Sequence, residues 1–409
     1  MPPFPLHLES LVGQYGSYLV FLLIGFFFGY VLEIAGFGNS IKLANQFYLK
    51  DMTVLKVMFT AIVVAMVLIF GASALNLLDI NLIWVNPTYL IPGIVGGLIM
   101  GVGFIVGGFC PGTSVVAMAT WKIDGLFYVL GTLFGILLFG ETVDNFSAFW
   151  TSTYMGRFML PEWLGVNTGV VVVGVVLMAI GMFAGAEQLE RIFGKKDLKA
   201  EPRTRFVGAG ALVGLALVVA LIGQPTTKDR WQAVSSVKEA ALAERQVQIE
   251  PGELLNLLHD HELKPILLDV RDEADYNLFH LERAQHLTAE TLPERLEEFQ
   301  LEGPTTVFVV MSNDEAGATE VWKTLVAESV SNVYILAGGV NGWLDVFAAE
   351  DERIQPVEQT APDTLRYAFA AALGEAFPAA DPAPGEFELE YPTKIKLELK
   401  RGPTGGGCG

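Results

Sequence analysis

A cysteine lies in a glycine-rich interruption of a long apolar stretch, in the segment GGFCPGTS at residues 107–114. Pro111 suits the first turn of a helix, and the hydroxyls of Thr113 and Ser114 suit its N-terminal end. Such a helix start presents free N–H groups and the positive end of the helix dipole, which favour an anion. The thiol of Cys110 adds a polarisable sulfur and a weak S–H donor, which match an anion that contains sulfur. Packing is the alternative, because a lone cysteine often acts as a small buried apolar residue.

A second copy of this interruption lies 72 residues earlier, because residues 25–40 align without a gap on residues 97–112. The aligned pairs are Gly25 with Gly97, Gly29 with Gly101, Gly36 with Gly108, Phe37 with Phe109 and, further on, Lys50 with Lys122. Internal repeats that each contribute a broken helix are typical of transporters. Close helix packing also explains glycines at a four-residue spacing, but it does not explain the shared lysine.

Charged residues flank both interruptions. Glu33 is a candidate functional group because an ionisable residue inside a membrane is costly, although an interfacial position would cost little. Lys50 and Lys122 are expected at the cytoplasmic mouth, where they attract an anion or simply follow the orientation rule. The predicted substrate path therefore comprises Glu33, Gly36, Gly38, Lys50, Gly108, Cys110, Pro111, Gly112, Thr113, Ser114 and Lys122.

The elements that position these residues are apolar spans. Of the 409 residues, 52% are apolar, and the net charge of −19 lies almost entirely after residue 223. This distribution predicts a nearly neutral membrane half and an acidic, water-soluble half, and it argues against a nucleic-acid partner. Six spans are predicted, at about residues 17–32, 53–77, 89–109, 125–140, 165–186 and 206–223. The N-terminus lacks the pattern of a cleaved signal peptide, so we expect a retained first span.

The distribution of Lys and Arg predicts the orientation. The segment 187–205 carries Arg191, Lys195, Lys196, Lys199, Arg203 and Arg205. This segment is therefore expected in the cytoplasm, together with Lys42, Lys50 and Lys122, whereas Arg157 lies in an outer loop. The same count places everything after the sixth span outside the cytoplasm. A miscount of one span would reverse that placement.

The polar segment 224–247 reads as a linker that leads into a helix, and residues 248–350 read as a small α/β domain. The runs PILLDV, TTVFVV and SNVYIL suit buried parallel strands separated by helices. Residues 351–409 are rich in proline, alanine and acidic residues, and they include an alternating, strand-like stretch, KIKLELK. The expected fold class is thus a polytopic α-helical membrane domain, residues 1–223, followed by a small α/β domain and an extension.

The repeated interruptions, GGFCPGTS and the cysteine-less AGFGNS, resemble the YeeE/YedE family of thiosulfate transporters over roughly residues 17–186. That resemblance implies a narrow path on which several cysteines pass thiosulfate along by S–H contacts. In this chain only Cys110 matches the cysteine pattern, and Gly38 stands at its repeat counterpart. A shortened relay, or a different sulfur anion, is the corresponding expectation.

The α/β domain resembles the rhodanese family. The family pattern is carried by Asp269, Arg271, Glu273, Tyr276, His280 and Ala284, and by Gly338, Gly339, Gly342 and Trp343. An active member has a cysteine at the end of a strand, where a loop of backbone N–H groups cradles a persulfide. Alignment on Ala318 and Thr319 places Met311 at that position, with Ser312 beside it. Neither side chain carries a persulfide, so the resemblance implies an inactive pocket of Met311, Ser312, Asp269 and Arg271.

The chain ends in GPTGGGCG, which puts Cys408 on a flexible glycine arm. This end resembles the cysteine arm of SoxY-type periplasmic sulfur carriers, and an ordinary flexible tail or a cloning scar is the alternative. We therefore expect a multi-pass inner-membrane transporter for a small sulfur anion, most simply thiosulfate, with a periplasmic α/β domain. No cofactor or metal is expected. The expected partners are the sulfur anion, the lipid bilayer and a sulfur-carrier or sulfurtransferase protein.

Two other functions remain open on the sequence. A membrane-anchored sulfurtransferase would use Cys408 as its sulfur acceptor, and a sulfur sensor would use the rhodanese-like domain only to bind a partner.

Overall fold

The computed structural model describes residues 4–6, 8–196, 204–348, 351–358, 361–387 and 389–397. The described chain forms two compact units. The membrane unit holds most described residues before Pro225, and the α/β unit holds the described residues from Pro225 onward together with Asn81–Trp84.

The membrane unit is helical. Its helices are α1 (Leu8–Ile34), α2 (Ser40–Asn45), α3 (Thr53–Ala74), α4 (Leu90–Gly107), α5 (Pro111–Ala119), α6 (Ile123–Thr142), α7 (Ser147–Trp150), α8 (Leu160–Leu164), α9 (Thr168–Ile192) and α10 (Thr204–Ile222). Six helical segments of the described chain are long and apolar enough to cross a bilayer. The prediction of six spans is therefore confirmed.

The surface of this unit is apolar because these helices bury few of their own side chains. In α4, Leu98 is 69% exposed and Val106 is 83% exposed. Such a continuous apolar surface is unfavourable in water and requires lipid. The protein is a multi-pass membrane protein.

Helices α3, α9 and α10 pack together along small and β-branched residues. Their shared cluster contains Val63, Val67, Val172, Val176, Ala179 and Ala216. Close packing of this kind replaces the hydrophobic driving force that is missing within a bilayer. A second group brings α1, α2, α4, α5 and α6 together around the two helix interruptions.

The α/β unit begins with α11 (Thr227–Ala243) and contains a parallel sheet in the order β1-β5-β4-β2-β3. Its further elements are β1 (Gln248–Ile249), α12 (Pro251–Leu258), β2 (Lys264–Asp269), α13 (Glu273–Leu278), β3 (Gln285–His286), α14 (Leu292–Leu301), β4 (Thr306–Met311), α15 (Ala316–Ala327), β5 (Val333–Leu336), α16 (Gly339–Phe347), β6 (Ile354–Pro356) and β7 (Tyr367–Phe369). The three predicted apolar runs are confirmed as β2, β4 and β5. The fold class predicted from the sequence is confirmed.

Alternation along the central strands builds one hydrophobic core on each face of the sheet. Leu267 and Val309 belong to the core that contains Trp343, whereas Leu268 and Val310 belong to the core that contains Trp322. The unit is therefore a sheet covered by helices on both faces.

The C-terminal extension packs back onto the sheet domain. Its strands β6 and β7 pair antiparallel, and Trp343 Nε1 donates a hydrogen bond to the carbonyl oxygen of Ala379 at 2.7 Å. The stretch KIKLELK differs from its predicted strand, because its described residues 394–397 lie outside every strand. Instead, the N–H groups of Lys394 and Ile395 donate to Glu253 Oε1 at 2.7 and 2.9 Å.

Candidate functional site in the membrane unit

Cys110 is the N-cap of the half-helix α5. The N–H of Thr113 donates to Cys110 Sγ at 3.4 Å, and the N–H of Cys110 donates to Thr113 Oγ1 at 2.9 Å. This reciprocal pair is a capping box in which a sulfur takes the place of the usual hydroxyl oxygen. The interruption after Gly107 is thus a defined turn between two helices.

The cap has a chemical consequence for the thiol. Because Cys110 Sγ accepts a hydrogen bond from the Thr113 N–H, the S–H proton is free to point away from the helix. Ser114 donates its hydroxyl to the carbonyl oxygen of Pro111 at 2.7 Å, and its N–H donates to the carbonyl oxygen of Cys110. The Thr113 hydroxyl lies 3.2 Å from the carbonyl oxygen of Cys110 and 3.3 Å from its Sγ, and it can donate to either. The first-turn donors that these bonds do not use are the S–H of Cys110 and the N–H of Gly112.

The first repeat contains the same turn with a different cap. Gly36 and Gly108 both adopt positive φ, at 81° and 72°, which glycine reaches without steric cost. In the first copy the cap of α2 is Asn39, whose Oδ1 accepts the N–H groups of Ile41 and Lys42 at 3.0 and 3.3 Å. Asn39 aligns with Pro111 rather than with Cys110, so the sequence repeat did not single it out as a cap.

The two interruptions meet in space. Phe37 and Phe109 are each 1% exposed and belong to one buried cluster with Leu43. A methyl group built on Gly108 would lie 2.9 Å from the Cβ of Ser40, the first residue of α2. A side chain at Gly108 would therefore push the two interruptions apart.

An ion pair lies against Gly38. Lys122 Nζ is 3.3 Å from Glu33 Oε1. A methyl group built on Gly38 would collide with Glu33 Oε2 and would lie 2.8 Å from Lys122 Nζ. Glu33 Oε2 is buried and has no hydrogen-bond partner among the described residues.

Lys42 is a further charged residue at the first interruption. From the sequence it was used only to predict the orientation of the chain in the membrane. Its Nζ donates to the carbonyl oxygen of Ala35 at 2.8 Å and lies beside Gly36. Two ammonium groups, from Lys42 and Lys122, thus flank the Gly36–Gly38 turn. Glu33 pairs with Lys122, and the carboxylate of Asp51 interacts with Lys42.

Lys50, the repeat counterpart of Lys122, lies elsewhere. Its exposed side chain places Nζ 6.0 Å from the ring centroid of Tyr48. The Lys50 carbonyl oxygen would contact a methyl group built on Gly194, in the turn after α9. The shared lysine of the sequence repeat therefore occupies two different structural positions.

Tyr128 on α6 is a further residue at the constriction. Its ring lies over Gly107, and the centroids of Phe109 and Tyr128 are 5.9 Å apart. No sequence motif singled out this tyrosine, because its role depends on the packing of α6 against the interruption.

Glu190 is a buried charge that the sequence analysis also missed. Its side chain is fully buried, accepts the N–H of Met52 at 2.7 Å, and pairs with Lys56 Nζ at 2.8 Å. Lys196 Nζ lies 3.8 Å from the same carboxylate. This cluster joins the start of α3 to the end of α9 next to Lys50.

In the α/β unit, Met311 and Ser312 lie in different surroundings at the end of β4. Met311 is fully buried in the core and faces Asp269 in the register of β2 and β4. Ser312 follows the strand, and its Oγ accepts the N–H of Ala318 at 3.1 Å. The loop-facing position therefore belongs to Ser312, while Met311 packs in the core.

Asp269 and Arg271 form a buried ion pair. Arg271 Nη2 lies 2.6 Å from Asp269 Oδ2 and donates to the carbonyl oxygen of Phe279 at 2.6 Å. His280 stacks on Tyr276 with ring centroids 3.9 Å apart. Burial raises the pKa of Tyr276, and the nearby Asp269 carboxylate adds to that rise. These contacts hold α13 and the following loop against the sheet.

Some predicted features lie outside the described residues, namely Cys408 with its glycine arm, Lys199 and Arg203. Among the described residues, no cluster of His, Cys, Asp and Glu has the arrangement of a metal site.

Comparison with known proteins identifies a family that shares this part of the chain. A family model described as "Sulphur transport" matches residues 35–254, which is more than half of the chain. The chain belongs to the sulphur transport family. Its matched region starts at the first interruption and includes both half-helices, Cys110 and Lys122. Membership supports a sulfur anion as the substrate of this membrane protein.

A second family model, described as "Rhodanese-like domain", matches residues 250–345 of this sulphur transport protein. Among its curated relatives is a thiosulfate sulfurtransferase GlpE from Tolumonas auensis, 32% identical over 81 residues, which are 20% of this chain and 74% of the relative. A thiosulfate sulfurtransferase GlpE from Pseudomonas fluorescens Pf0-1 is 31% identical over 85 residues, covering 21% of this chain and 75% of that protein. No solved structure matches the chain significantly. The predicted rhodanese-like domain is confirmed.

Proposed function

We propose that this protein takes up thiosulfate across the inner membrane through the constriction formed by its two helix interruptions. The observation that carries the proposal is the capping of α5 by Cys110, which orients a sulfur and its S–H beside a helix N-terminus. The anion would lie near this thiol and the N–H of Gly112, with the ammonium groups of Lys42 and Lys122 balancing its charge.

The chemistry favours a sulfur anion over a phosphate or a carboxylate. Phosphate and carboxylate sites commonly use the planar fork of arginine, which makes two parallel hydrogen bonds. The described groups around this constriction are instead a thiol, backbone amides, lysines and the carboxylate of Glu33, which is paired with Lys122. A weak, polarisable S–H donor is suited to a diffuse sulfur anion that must also leave the site.

We propose that the α/β unit lies on the periplasmic side and does not transfer sulfur at the β4–α15 loop. The excess of Lys and Arg in segment 187–205 supports this placement. Ser312 and Met311 at the end of β4 support the absence of a persulfide, because neither residue supplies a thiolate. Cys408 would present the sulfur compound to the membrane unit.

The test compares two substitutions of Cys110 in uptake of radiolabelled thiosulfate by proteoliposomes. Serine is a good N-cap residue, so Cys110→Ser keeps the cap and removes the sulfur, whereas Cys110→Ala removes both. We expect uptake to fall at least tenfold in Cys110→Ala, and Cys110→Ser to lie between this variant and the parent. Equal uptake by Cys110→Ala and the parent would refute the proposed path.

The rival function, a membrane-anchored sulfurtransferase, predicts a covalent step. The Cys408 thiolate would attack the outer sulfur of thiosulfate, the S–S bond would break, and sulfite would leave with the bonding electrons. Mass spectrometry after incubation with thiosulfate would then find one added sulfur atom on Cys408. That result in vesicles without thiosulfate flux would favour the rival and contradict transport.

A further inference from the structure

Two side-chain hydroxyls lie beside the turn that leads from α4 to Cys110. The ring of Tyr128 lies against Gly107, and its Cζ atom, which carries the hydroxyl, would be 3.7 Å from a methyl group built on Gly107. Ser40 lies against the next residue, because its Cβ would be 2.9 Å from a methyl group built on Gly108. Consecutive Cα atoms are about 3.8 Å apart, so the two hydroxyls flank one short stretch of backbone.

The packing of α6 on α5 places Tyr128 at this turn. Gly125 of α6 lies against α5, since a methyl group built there would be 2.6 Å from the Cβ of Ala117. The short connection between the two helices makes them antiparallel neighbours. Tyr128 is one turn further along the same face of α6, and this places it beside the first turn of α5, where Cys110 is the N-cap.

The hydroxyls of Tyr128 and Ser40 are not used to hold the structure together. Both side chains are half-buried, and neither hydroxyl hydrogen-bonds to another residue within the described part of the chain. Nearby hydroxyls differ in this respect. The Thr132 hydroxyl donates to the carbonyl oxygen of Tyr128 at 3.0 Å, and the Ser114 hydroxyl donates to that of Pro111 at 2.7 Å. The first two hydroxyls are therefore available to a polar ligand.

Thiosulfate has two chemically different ends, and one donor type does not suit both. Its outer sulfur is soft and matches the S–H of Cys110. Its three oxygens are harder acceptors, which bind an O–H donor more strongly than a thiol. The N–H of Gly112 supplies one donor for these oxygens at the proposed site. The hydroxyls of Tyr128 and Ser40 supply two more.

We propose that Tyr128 and Ser40 determine the specificity of the path, because their hydroxyls bind the oxygens of the anion while Cys110 meets its sulfur. This inference rests on the proposed transport function and names the groups that recognise each end of the substrate. The recognised class is a small anion with several oxygens at one end and a terminal sulfur at the other. Loss of a hydroxyl weakens the binding of every such oxyanion, whereas loss of the thiol weakens only those with an outer sulfur.

The test measures two constants in proteoliposomes: the KM for uptake of radiolabelled thiosulfate and the inhibition constant of sulfate as a competitor. Tyr128→Phe removes one hydroxyl and keeps the ring against Gly107, whereas Ser40→Ala removes the other. We expect each substitution to raise both constants by about fivefold or more, because a hydrogen bond to a charged acceptor is lost. Maximal rates should stay within about twofold of the parent, since binding rather than the fold has changed.

Cys110→Ser should give the complementary pattern. The KM for thiosulfate should rise while the inhibition constant of sulfate does not, because sulfate has no outer sulfur for the thiol to meet. Two results would contradict the assignment of the hydroxyls to the oxygens. One is sulfate that fails to compete in the parent, and the other is an inhibition constant that rises as much in Cys110→Ser as in Tyr128→Phe.

Two control variants remove hydroxyls with other surroundings. Tyr30→Phe changes a tyrosine of α1 that is 57% exposed, and Thr132→Val removes the hydroxyl that donates to the carbonyl oxygen of Tyr128. Both controls should keep the two constants of the parent. If Tyr128→Phe and Ser40→Ala behave like these controls while Cys110→Ala has lost uptake, this inference alone is wrong. Uptake by Cys110→Ala equal to that of the parent refutes the proposed function itself.

A binding measurement covers a variant that does not reconstitute into vesicles. Thiosulfate should raise the unfolding temperature of the full-length parent in detergent with saturable dependence, because a ligand stabilises the state that binds it. The half-saturating concentration should be about fivefold higher or more in Tyr128→Phe and in Ser40→Ala. Half-saturation at the concentration of the parent in both variants would overturn the proposal.

Discussion

Lys122 and Glu33 form an ion pair across the first helix interruption, with Nζ and Oε1 3.3 Å apart. The two residues are 89 positions apart and belong to the end of α1 and the residue before α6. Their contact places one charge from each half of the repeat beside Gly38. The repeat thus brings together an acid and a base that the aligned positions alone do not pair.

The lysines of the repeat should differ in function. We expect Lys122→Gln to reduce thiosulfate uptake at least tenfold, because it removes a cation from the constriction and leaves Glu33 unpaired. Lys50→Gln should retain nearly full uptake, since the side chains nearest to a methyl group built on Gly38 are those of Glu33 and Lys122, whereas the Lys50 ammonium is exposed near Tyr48. Initial uptake rates in proteoliposomes with equal protein content measure both. Equal losses in the two variants would contradict this assignment.

The double variant Glu33→Gln/Lys122→Gln separates two roles of the lysine. If Lys122 only neutralises Glu33, the double variant regains uptake. We expect it to remain impaired, because the proposed role of Lys122 is to balance the charge of the anion.

Gly38 should not tolerate a methyl group. In Gly38→Ala the new Cβ would collide with Glu33 Oε2 and lie 2.8 Å from Lys122 Nζ, so the ion pair must move. We expect roughly tenfold slower uptake, as a displacement of about 1 Å in a positioned group is costly. Gly101→Ala is the control, because, apart from its chain neighbours and the nearby backbone of its own helix, no described heavy atom lies within 4 Å of its new Cβ. Similar rates in both variants would argue against a constriction at Gly38.

The sequence predicted the elements of the membrane unit well because hydropathy and glycine are local signals. Six apolar runs correspond to six helical segments long and apolar enough to span a bilayer, and the two predicted helix interruptions contain Gly36 and Gly108 at positive φ. The start of α5 after Cys110 also followed from the sequence, since Pro111 and Thr113 are residues typical of a helix start. That the Cys110 sulfur itself is the cap was not predicted.

The contacts that join distant segments could not be predicted in the same way. Glu190 and Lys56 are 134 residues apart, and nothing in the local sequence marks either as buried. Asp363, whose carboxylate accepts two N–H groups of the β4–α15 loop, lies in a segment that is acidic and rich in proline and alanine, and this composition does not predict which residues Asp363 contacts. The alternating stretch at Lys394 predicted a strand, but its N–H groups bind the side chain of Glu253 instead of a neighbouring strand.

The stability of the α/β unit should depend on pH through a pair of acidic residues, Glu282 and Asp381. A hydrogen bond with Asp381, together with the negative charge of that residue, raises the pKa of Glu282. An acid whose pKa is raised by folding stabilises the folded state at low pH, and this contribution is lost as pH rises through the raised pKa. Glu282→Gln keeps a donor for Asp381 and does not titrate.

The unfolding temperature of Glu282→Gln relative to the parent should therefore rise between about pH 4 and pH 7. Thermal scans across this range measure the difference, with Glu290→Gln as a control for the loss of one exposed charge. A constant difference between Glu282→Gln and the parent at every pH would contradict the proposed coupling.

Among the acidic residues described in the membrane unit, Glu190 should be the one whose substitution lowers stability most. Its carboxylate is fully buried, and it accepts the N–H of Met52 while it pairs with Lys56. Loss of one partner of a buried pair leaves the other uncompensated, so Glu190→Gln should lower the free energy of unfolding by about 2 to 3 kcal/mol.

Glu162→Gln provides the comparison, because Glu162 is 58% exposed and lies 3.8 Å from Arg157. Exposed pairs contribute about 0 to 1 kcal/mol, so this variant should unfold almost as the parent does. Denaturant titration in a lipid-like detergent measures both free energies.

Because Glu190 links the start of α3 to the end of α9, its loss should also slow uptake without changing selectivity between thiosulfate and sulfate. A stable Glu190→Gln variant with altered selectivity would instead place this carboxylate on the substrate path.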